Sequence, residues 1–360
     1  RDDNQGMSAL PKIMGSYFLP SNMQVYCERL QKLSAFRKLI KSCHTIMSMA
    51  SKEDDQTLEF AQQVFGQICR TSSFSVGPRH VKDILGNVLA NLEARFNGEE
   101  EVLTSGFYDL DTYLTGFRPS EYIIVAARPS MGKTTFAQNI AEQLALKQVP
   151  VLLLSLEMSA ERLLERSIAN IGNMDGQLLR LGHKSLDWDK ISDTVTKLSE
   201  IPLYIDDMSR TLADIKTSCR KAVTEYGVRL VILDYIGLIE YTLPTRTREQ
   251  EVATISRHLK GLANELKVPL IVLSQLSREN TKRSEKIPQL SDLRDSGALE
   301  QDADVVLFLH RPDYYGEKDK RGVAQVIIAK QRNGPTGIIE LGFDASRTRF
   351  YNLEKWRLEK

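Results

Sequence analysis

The stretch Ala127-Arg128-Pro129-Ser130-Met131-Gly132-Lys133-Thr134 constrains the fold of this chain more than any other. It follows an apolar run at residues 122–126 and leads into a helical pattern over 134–146. Strand, glycine-lysine-threonine loop and helix together make the phosphate-binding arrangement G-x-x-x-x-G-K-[ST]. Such a loop and the helix N-terminus behind it aim backbone N–H groups at phosphate oxygens. In that arrangement Lys133 reaches the β- and γ-phosphates and Thr134 offers its hydroxyl to Mg²⁺. Gly132 lets the backbone approach without a Cβ, and Ser130, Met131 and Thr135 complete the cradle. Ala127 stands where the pattern has its first glycine, but the Gly132-Lys133-Thr134-Thr135 core in its strand–loop–helix setting outweighs that departure. ATP or a similar nucleoside triphosphate is the expected ligand, and hydrolysis the expected reaction.

The organisation around this loop divides into three regions. Residues 1–72 carry helical periodicity through Leu30, Leu33, Phe36, Leu39 and Ile40, then Ile46 and Met49, then Leu58, Phe60, Ala61, Val64 and Phe65. Lys52-Glu53-Asp54-Asp55 breaks the run. Residues 73–101 hold a linker with one amphipathic helix. Its apolar stripe is Val81, Ile84, Leu85, Val88, Leu89, Leu92 and Phe96, and Asn97-Gly98 closes it. That helix packs either on its own chain or on a neighbouring subunit. From 102 to 360 short β-rich runs alternate with helical stretches. The runs are 122–126, 151–155, 203–205, 230–233, 270–274, 305–309 and 326–329, with helices such as 134–146 and 249–266 between them. Such alternation predicts an α/β domain with a mainly parallel sheet and helices on both faces. The alternating stretch 338–351, interrupted by Gly342 and Asp344-Ala345-Ser346, predicts a closing hairpin.

Composition excludes several classes. With 360 residues, 42% hydrophobic and 26% charged, the chain has the make-up of a globular protein of about two domains. A net charge of +1 gives no global basic field, though a local basic channel is compatible with it. Cys27, Cys43, Cys69 and Cys219 form no CxxC pair and lie near no histidine cluster, so neither zinc nor a disulfide framework is expected. Reduced cysteines suit the cytoplasm. Apolar runs such as 151–154 fall far short of the roughly 18 residues a membrane span needs, and no secretory pattern opens the chain. The start at Arg1, without an initiator methionine, reads as that of a fragment.

Hydrolysis needs a metal-holding carboxylate and a polarised water. Leu230-Val231-Ile232-Leu233-Asp234 ends an apolar run in a carboxylate, which suits a metal-binding Asp234 as well as a simple turn starter. Glu157 stands just past the run at 151–155, where ligands gather at the carboxyl ends of parallel strands. It suits a general base, or a carboxylate favoured by a helix N-terminus. Gln275, after the run at 270–274, suits a γ-phosphate sensor or a loop cap.

With these elements in this order, the sequence resembles the DnaB family of replicative hexameric helicases. The matching stretches are Gly106-Phe107, Leu110-Asp111, Leu114-Thr115-Gly116, residues 127–135, Ser155-Leu156-Glu157-Met158 and Leu233-Asp234-Tyr235. Further along come Ser274-Gln275-Leu276-Ser277-Arg278, residues 291–304 and residues 329–337. Residues 24–100 resemble, more weakly, the end of the family's N-terminal domain and its linker helix. Only the tail of that domain is recognisable, around 19–26, as in a truncated chain or a divergent phage or plasmid member.

The resemblance implies a RecA-like ATPase in a six-subunit ring, with ATP at the subunit interface and single-stranded DNA in the central channel. Other implied partners are a primase and a helicase loader, and no membrane. Carried over residue by residue, Lys133 and Thr134 bind phosphate and Mg²⁺, and Glu157 is the base. Asp234 is the metal-binding acid and Gln275 the sensor. Arg332 resembles the family's arginine finger and Lys330 its companion, both reaching the neighbour's γ-phosphate. By themselves these two are basic residues after a strand, and solvated surface charge is the plainer reading.

For DNA, residues 277–297 carry Arg278, Lys282, Arg283, Lys286 and Arg294 against Glu279, Glu285, Asp292 and Asp295, a mixed rather than basic loop. The resemblance assigns phosphate contacts to Arg294, Asp295 and Gly297, which read backbone rather than bases. Glu is common in the family where Asp295 stands, so that one contact departs from the pattern. Arg246 and Arg248 are weaker candidates, and neither loop has a Phe or Trp on which bases stack. Two other readings stay open: a different RecA-like ATPase, such as a recombinase or clock-type ATPase, and a non-catalytic DNA-binding or loader-interacting ring.

Overall fold

The computed structural model describes residues 23–51, 57, 58, 60, 61, 64, 80–97, 102–240, 247–276, 286–316 and 318–353. The chain forms two compact units, Arg1–Glu100 and Glu101–Lys360. In the first, α1 is Met23–Ala50 and α2 is Val81–Phe96. The periodic residues from Leu30 to Met49 all lie on α1. The break at Lys52-Glu53-Asp54-Asp55, Phe65 and Gly98 lie outside the described residues. His80 caps α2, its Nδ1 accepting from the Lys82 N–H at 3.2 Å. The apolar stripe of α2 is exposed along its length, from Val81 to Phe96.

In the second unit a short helix α3, Tyr108–Leu114, precedes β1, Tyr122–Ala127, and the phosphate loop then leads into α4, Lys133–Leu146. There follow β2, Val151–Ser155, and three helices: α5, Ala160–Ile171; α6, Gly176–Leu181; and α7, Trp188–Glu200. Next come β3, Leu203–Asp206; α8, Leu212–Tyr226; β4, Leu230–Asp234; α9, Arg248–Leu266; and β5, Leu270–Gln275. The last elements are α10, Gly297–Asp302; β6, Val305–His310; β7, Val323–Gln331; β8, Gly337–Asp344; and β9, Arg349–Asn352. The nine strands form one sheet in the order β3-β2-β4-β5-β1-β6-β7-β8-β9. From β3 to β6 every pairing is parallel.

The core explains why the parallel strands read as unbroken apolar runs. Successive residues of a strand point to opposite faces, and both faces are covered. On one face Ile123 and Val125 pack with Phe136, Ile140 and Leu144 of α4. On the other Tyr122, Ile124 and Ala126 pack with Ile215 and Cys219 of α8 and with Ile255, Leu259 and Leu262 of α9. Phe136 joins three parts of the chain, stacking on Phe107 at 5.3 Å and meeting Phe350 edge-on at 5.5 Å.

The run expected at 326–329 is longer, Val323–Gln331, and lies antiparallel to β6. Among its described residues the connection 311–322 carries only short 3-10 turns, where a parallel return needs a crossover of a dozen residues or more, usually a helix. The closing hairpin forms as β8 and β9, with Phe343 opposite Phe350. Asp344 Oδ1 accepts from the N–H groups of Ser346 and Arg347 and so shapes its turn.

Candidate functional site

The carboxyl ends of β1, β4, β2 and β5 bring the phosphate loop, Asp234, the Glu157 turn and Gln275 to one edge of the sheet. Asp234 lies beside Ser155 in the β2–β4 register, and Gln275 beside Ala127 in the β1–β5 register. At the end of β1 the chain turns through Ser130 and Gly132, both with positive φ, 67° and 92°. A Cβ on Gly132 would stand 3.1 Å from Phe350 Cζ, so both conformation and space call for glycine. Arg311, after β6, donates to the Ser130 carbonyl at 3.4 Å while pairing with Asp313. Met131 and Thr135 turn into the core. The first amides of α4, at Lys133, Thr134 and Thr135, have no intrahelical carbonyl in reach, which leaves them for an anion.

Thr134 Oγ1 donates to Asp234 Oδ2 at 2.6 Å. Asp234 is almost wholly buried, yet its Oδ1 has no hydrogen-bond partner among the described residues. It lies 3.4 Å from Lys133 Nζ, an ion pair longer than a good hydrogen bond. A buried carboxylate oxygen that accepts no hydrogen bond, beside a threonine hydroxyl and a phosphate cradle, suits a hard cation such as Mg²⁺, which takes one or two protein oxygens plus phosphate and water. Among the described residues no cluster of three His, Cys, Asp or Glu side chains competes as a metal site. Lys133 Nζ also sits over the Tyr235 ring, 4.1 Å from its centroid. Burial lowers the Lys133 pKa, and the charges of Asp234 and Glu157 oppose that shift.

Glu157 is solvent-exposed, on a turn held from within. Ser155 Oγ donates to the Met158 carbonyl at 2.6 Å, Leu156 N–H donates to the Asp234 carbonyl at 2.7 Å, and Arg210 donates to the Leu156 carbonyl at 3.0 Å. A further cation, which the sequence reading missed, faces the same carboxylates. Arg166 on α5 has its pKa lowered by burial, against the opposing charges of Asp234 and then Glu157. No motif marks it: α5 follows the Glu157 turn directly, and it is its packing on α4 that turns Arg166 to the site. That packing is polar. Glu142 of α4 is fully buried and accepts from Ser167 and Gln138 on Oε1 and from Asn170 and Asn139 on Oε2. Burial outweighs these four bonds and raises its pKa.

Lys330 and Arg332 lie elsewhere. Gln331 pairs with Val305, and Val305 with Ile123, so the end of β7 sits at the amino edge of the sheet. From there to Ala127 is four residues along the strands, about 13 Å, and two strand spacings across, about 10 Å. An arginine extends roughly 7 Å at ordinary bond lengths. Neither residue reaches its own phosphate loop.

Of the candidate DNA contacts, residues 290–297 form a 3-10 turn running into α10, with Gly297 exposed at the junction. The side chains of Arg294 and Asp295 lie outside the described residues, as do Arg246, Arg278, Lys282 and Arg283. Asp292 is buried, its Oδ2 accepting from the Gln289 N–H at 2.9 Å, so one of the four acidic residues counted in this loop is structural. Lys286 lies over the Tyr315 ring at 5.1 Å. Arg248 is engaged with Glu251 at 2.8 Å and with the Gly237 carbonyl.

Comparison with known proteins places this architecture in context. The model of the DnaB-like helicase C-terminal domain matches residues 102–352. The replicative DNA helicase DnaB of Geobacillus stearothermophilus is 39% identical over 359 residues, covering 97% of this chain and 79% of that protein. The replicative DNA helicase DnaC of Bacillus subtilis is 38% identical over 360 residues, 97% of this chain and 79% of the relative. Among solved structures, one isolated ATPase domain superposes with a TM-score of 0.72 at 37% identity, covering 77% of this chain and 100% of the other. A DnaB-like replicative helicase studied for its interactions with primase gives 0.69 at 31% identity, covering 96% of this chain and 83% of the other.

Proposed function

The chain belongs to the DnaB-like helicase family and is an ATP-hydrolysing replicative DNA helicase; from that premise we propose which residues do the work and what they require from outside the chain. Lys133 and the amides opening α4 bind the β- and γ-phosphates, with Ser130, Met131, Gly132 and Thr135 shaping the cradle. Thr134 and Asp234 would hold Mg²⁺, which would neutralise charge on the phosphate oxygens. Glu157 takes the proton of the attacking water, and Gln275 hydrogen-bonds at the γ-phosphate. Arg332 and Lys330 act on the γ-phosphate of a neighbouring copy, where charge develops in the transition state.

The observation that carries this reading is the split between the two edges of the sheet. A phosphate cradle with a buried carboxylate oxygen that accepts no hydrogen bond among the described residues sits at one edge, and the two cations that would complete it sit at the other. A ring of copies in head-to-tail contact closes that gap. We propose six copies, with single-stranded DNA in the channel contacted by Arg294, Asp295 and Gly297, and a primase and a loader as further partners. The exposed stripe of α2 suits docking on a second copy, in keeping with a division into 1–72, 73–101 and 102–360. Among the described residues no helix is long and apolar enough to cross a membrane; the cytoplasm is the proposed location.

The test is strand displacement on a forked duplex alongside DNA-stimulated ATP hydrolysis. Wild type separates strands, and Lys133→Ala assembles but neither hydrolyses nor unwinds. Full hydrolysis by Lys133→Ala would remove the mechanism, and strand pairing without separation would point to a recombinase instead.

A further inference from the structure

Asp304 stands just before β6, and its carboxylate faces two ways. Oδ2 accepts from the Tyr122 N–H at 2.8 Å and from Lys260 Nζ of α9 at 2.5 Å, which ties it to the sheet. Oδ1 faces Arg332 Nη1 at 3.3 Å. The grip on Arg332 has two further points. The Arg332 N–H donates to the Asp304 carbonyl at 2.9 Å, and Arg332 Nη2 donates to the Gln301 carbonyl at 3.0 Å. Lys330 is held next to it, donating to the Glu300 carbonyl at 2.5 Å and to the Gln301 carbonyl at 3.4 Å.

Ion pairs between two exposed side chains contribute little. Here the partners are unequal: the Asp304 side chain is 13% exposed and that of Arg332 49%. A guanidinium carries five N–H donors in a rigid fork. The contacts to Asp304 and Gln301 take up part of it and leave donors on the exposed part.

We infer that Asp304 is a positioning residue for the trans-acting cation: it grips Arg332 so that the open donors face out of the chain, towards the phosphate site of the next copy. The inference rests on the reading of Arg332 as a finger supplied to a neighbour. Fixing this long side chain beforehand removes an entropy cost that would otherwise fall in the transition state. Because the partners of Asp304 are Tyr122, Lys260 and Arg332 and none lies in the phosphate loop, its removal acts on turnover and not on ATP binding. The carbonyls of Glu300 and Gln301 belong to α10, whose first residue is Gly297, so the element proposed to meet DNA also holds the finger pair.

The experiment uses the full chain as an assembled ring, with steady-state ATP hydrolysis on single-stranded DNA. Asp304→Asn keeps an acceptor for the Tyr122 N–H but removes the charge facing Arg332. It is expected to lower kcat about ten-fold, in the range found when an outer-shell partner is removed, with KM for ATP unchanged. In an Arg332→Ala background the same substitution causes no further loss. Mixed with Glu157→Ala subunits, Asp304→Asn regains hydrolysis, because the defect lies in what it donates. Lys260→Gln removes the cation on Oδ2, leaves Oδ1 facing Arg332 and Oδ2 on the Tyr122 N–H, and retains kcat. Asp304→Glu, with the charge displaced by one methylene, gives the same kcat loss where Asp304→Asn does not assemble. Unchanged kcat in Asp304→Asn alongside an inactive Arg332→Ala overturns the inference alone. So does a loss that adds to that of Arg332→Ala, or an equal loss in Lys260→Gln. Full activity of Arg332→Ala removes the finger reading, and this inference with it.

Discussion

Mixing two inactive variants tests the division of the site between copies most directly. Glu157→Ala lacks a base but carries an intact Arg332; Arg332→Ala has an intact phosphate site but no finger. Geometry sets the expectation for each alone. Arg332 starts about 13 Å along the strands and about 10 Å across them from its own phosphate loop, beyond its reach, so it contributes nothing in its own subunit. An arginine finger contributes about 10³- to 10⁵-fold to turnover, so the Arg332→Ala ring should hydrolyse ATP at a thousandth of the wild-type rate or less. In a ring assembled at random from equal amounts, each interface has one site donor and one finger donor. The site comes from an Arg332→Ala subunit half the time, and the finger from a Glu157→Ala subunit half the time. About a quarter of the interfaces then regain both, and hydrolysis climbs towards that fraction of the wild-type rate, peaking at equal mixing. The assay is phosphate release against mixing ratio, with subunit exchange verified by mass. No recovery at any ratio would refute a finger acting between copies, and so would an Arg332→Ala ring that hydrolyses at the wild-type rate.

Two further expectations concern stability. Glu142 has its pKa raised above the ordinary 4.5 by burial, so above that pH the folded chain keeps a proton the unfolded chain has released. The folded state then binds more protons, and stability falls as pH rises from about 4.5 through the folded-state pKa, by at most about 1.4 kcal/mol per pH unit from this group. Urea midpoints across that window should show the difference between wild type and Glu142→Gln falling as pH rises; a difference that rises or stays flat would contradict the assignment. Gly132→Ala forces a side chain onto a residue at φ 92° and against Phe350, and should cost about 1–3 kcal/mol. An unchanged melting temperature would show that the loop has another accessible conformation.

Much of this molecule is written locally. Tyr122–Ala127, Leu230–Asp234 and Leu270–Gln275 announce themselves because strands buried on both faces need apolar residues at every position. The phosphate loop announces itself because its chemistry needs a glycine, a lysine and a hydroxyl in one short turn. Asp234, Glu157 and Gln275 could be picked out as carboxyl-end residues from the ends of those runs. That rule says where a ligand gathers, whatever the order of the strands.

Strand order is what local sequence leaves open, and it decides the rest. Asp234 comes within hydrogen-bonding distance of Thr134 because β5 alone lies between β4 and β1 in the sheet. Arg166 faces the site because a buried polar network seats α5 on α4, and its own helix carries no mark of that. Asp292 looked like one more surface charge in a mixed loop and is buried as the acceptor for the turn that precedes it. Lys330 and Arg332 could be named from a family pattern, but their grip on Asp304 and on the carbonyls of α10 appears only once β7 turns back antiparallel to β6. Local sequence by itself marked the apolar runs that form the buried strands and the motif proposed to hold phosphate, because those demands are met within a few residues. The tertiary structure decided which distant side chains meet, because that depends on pairings no single segment encodes.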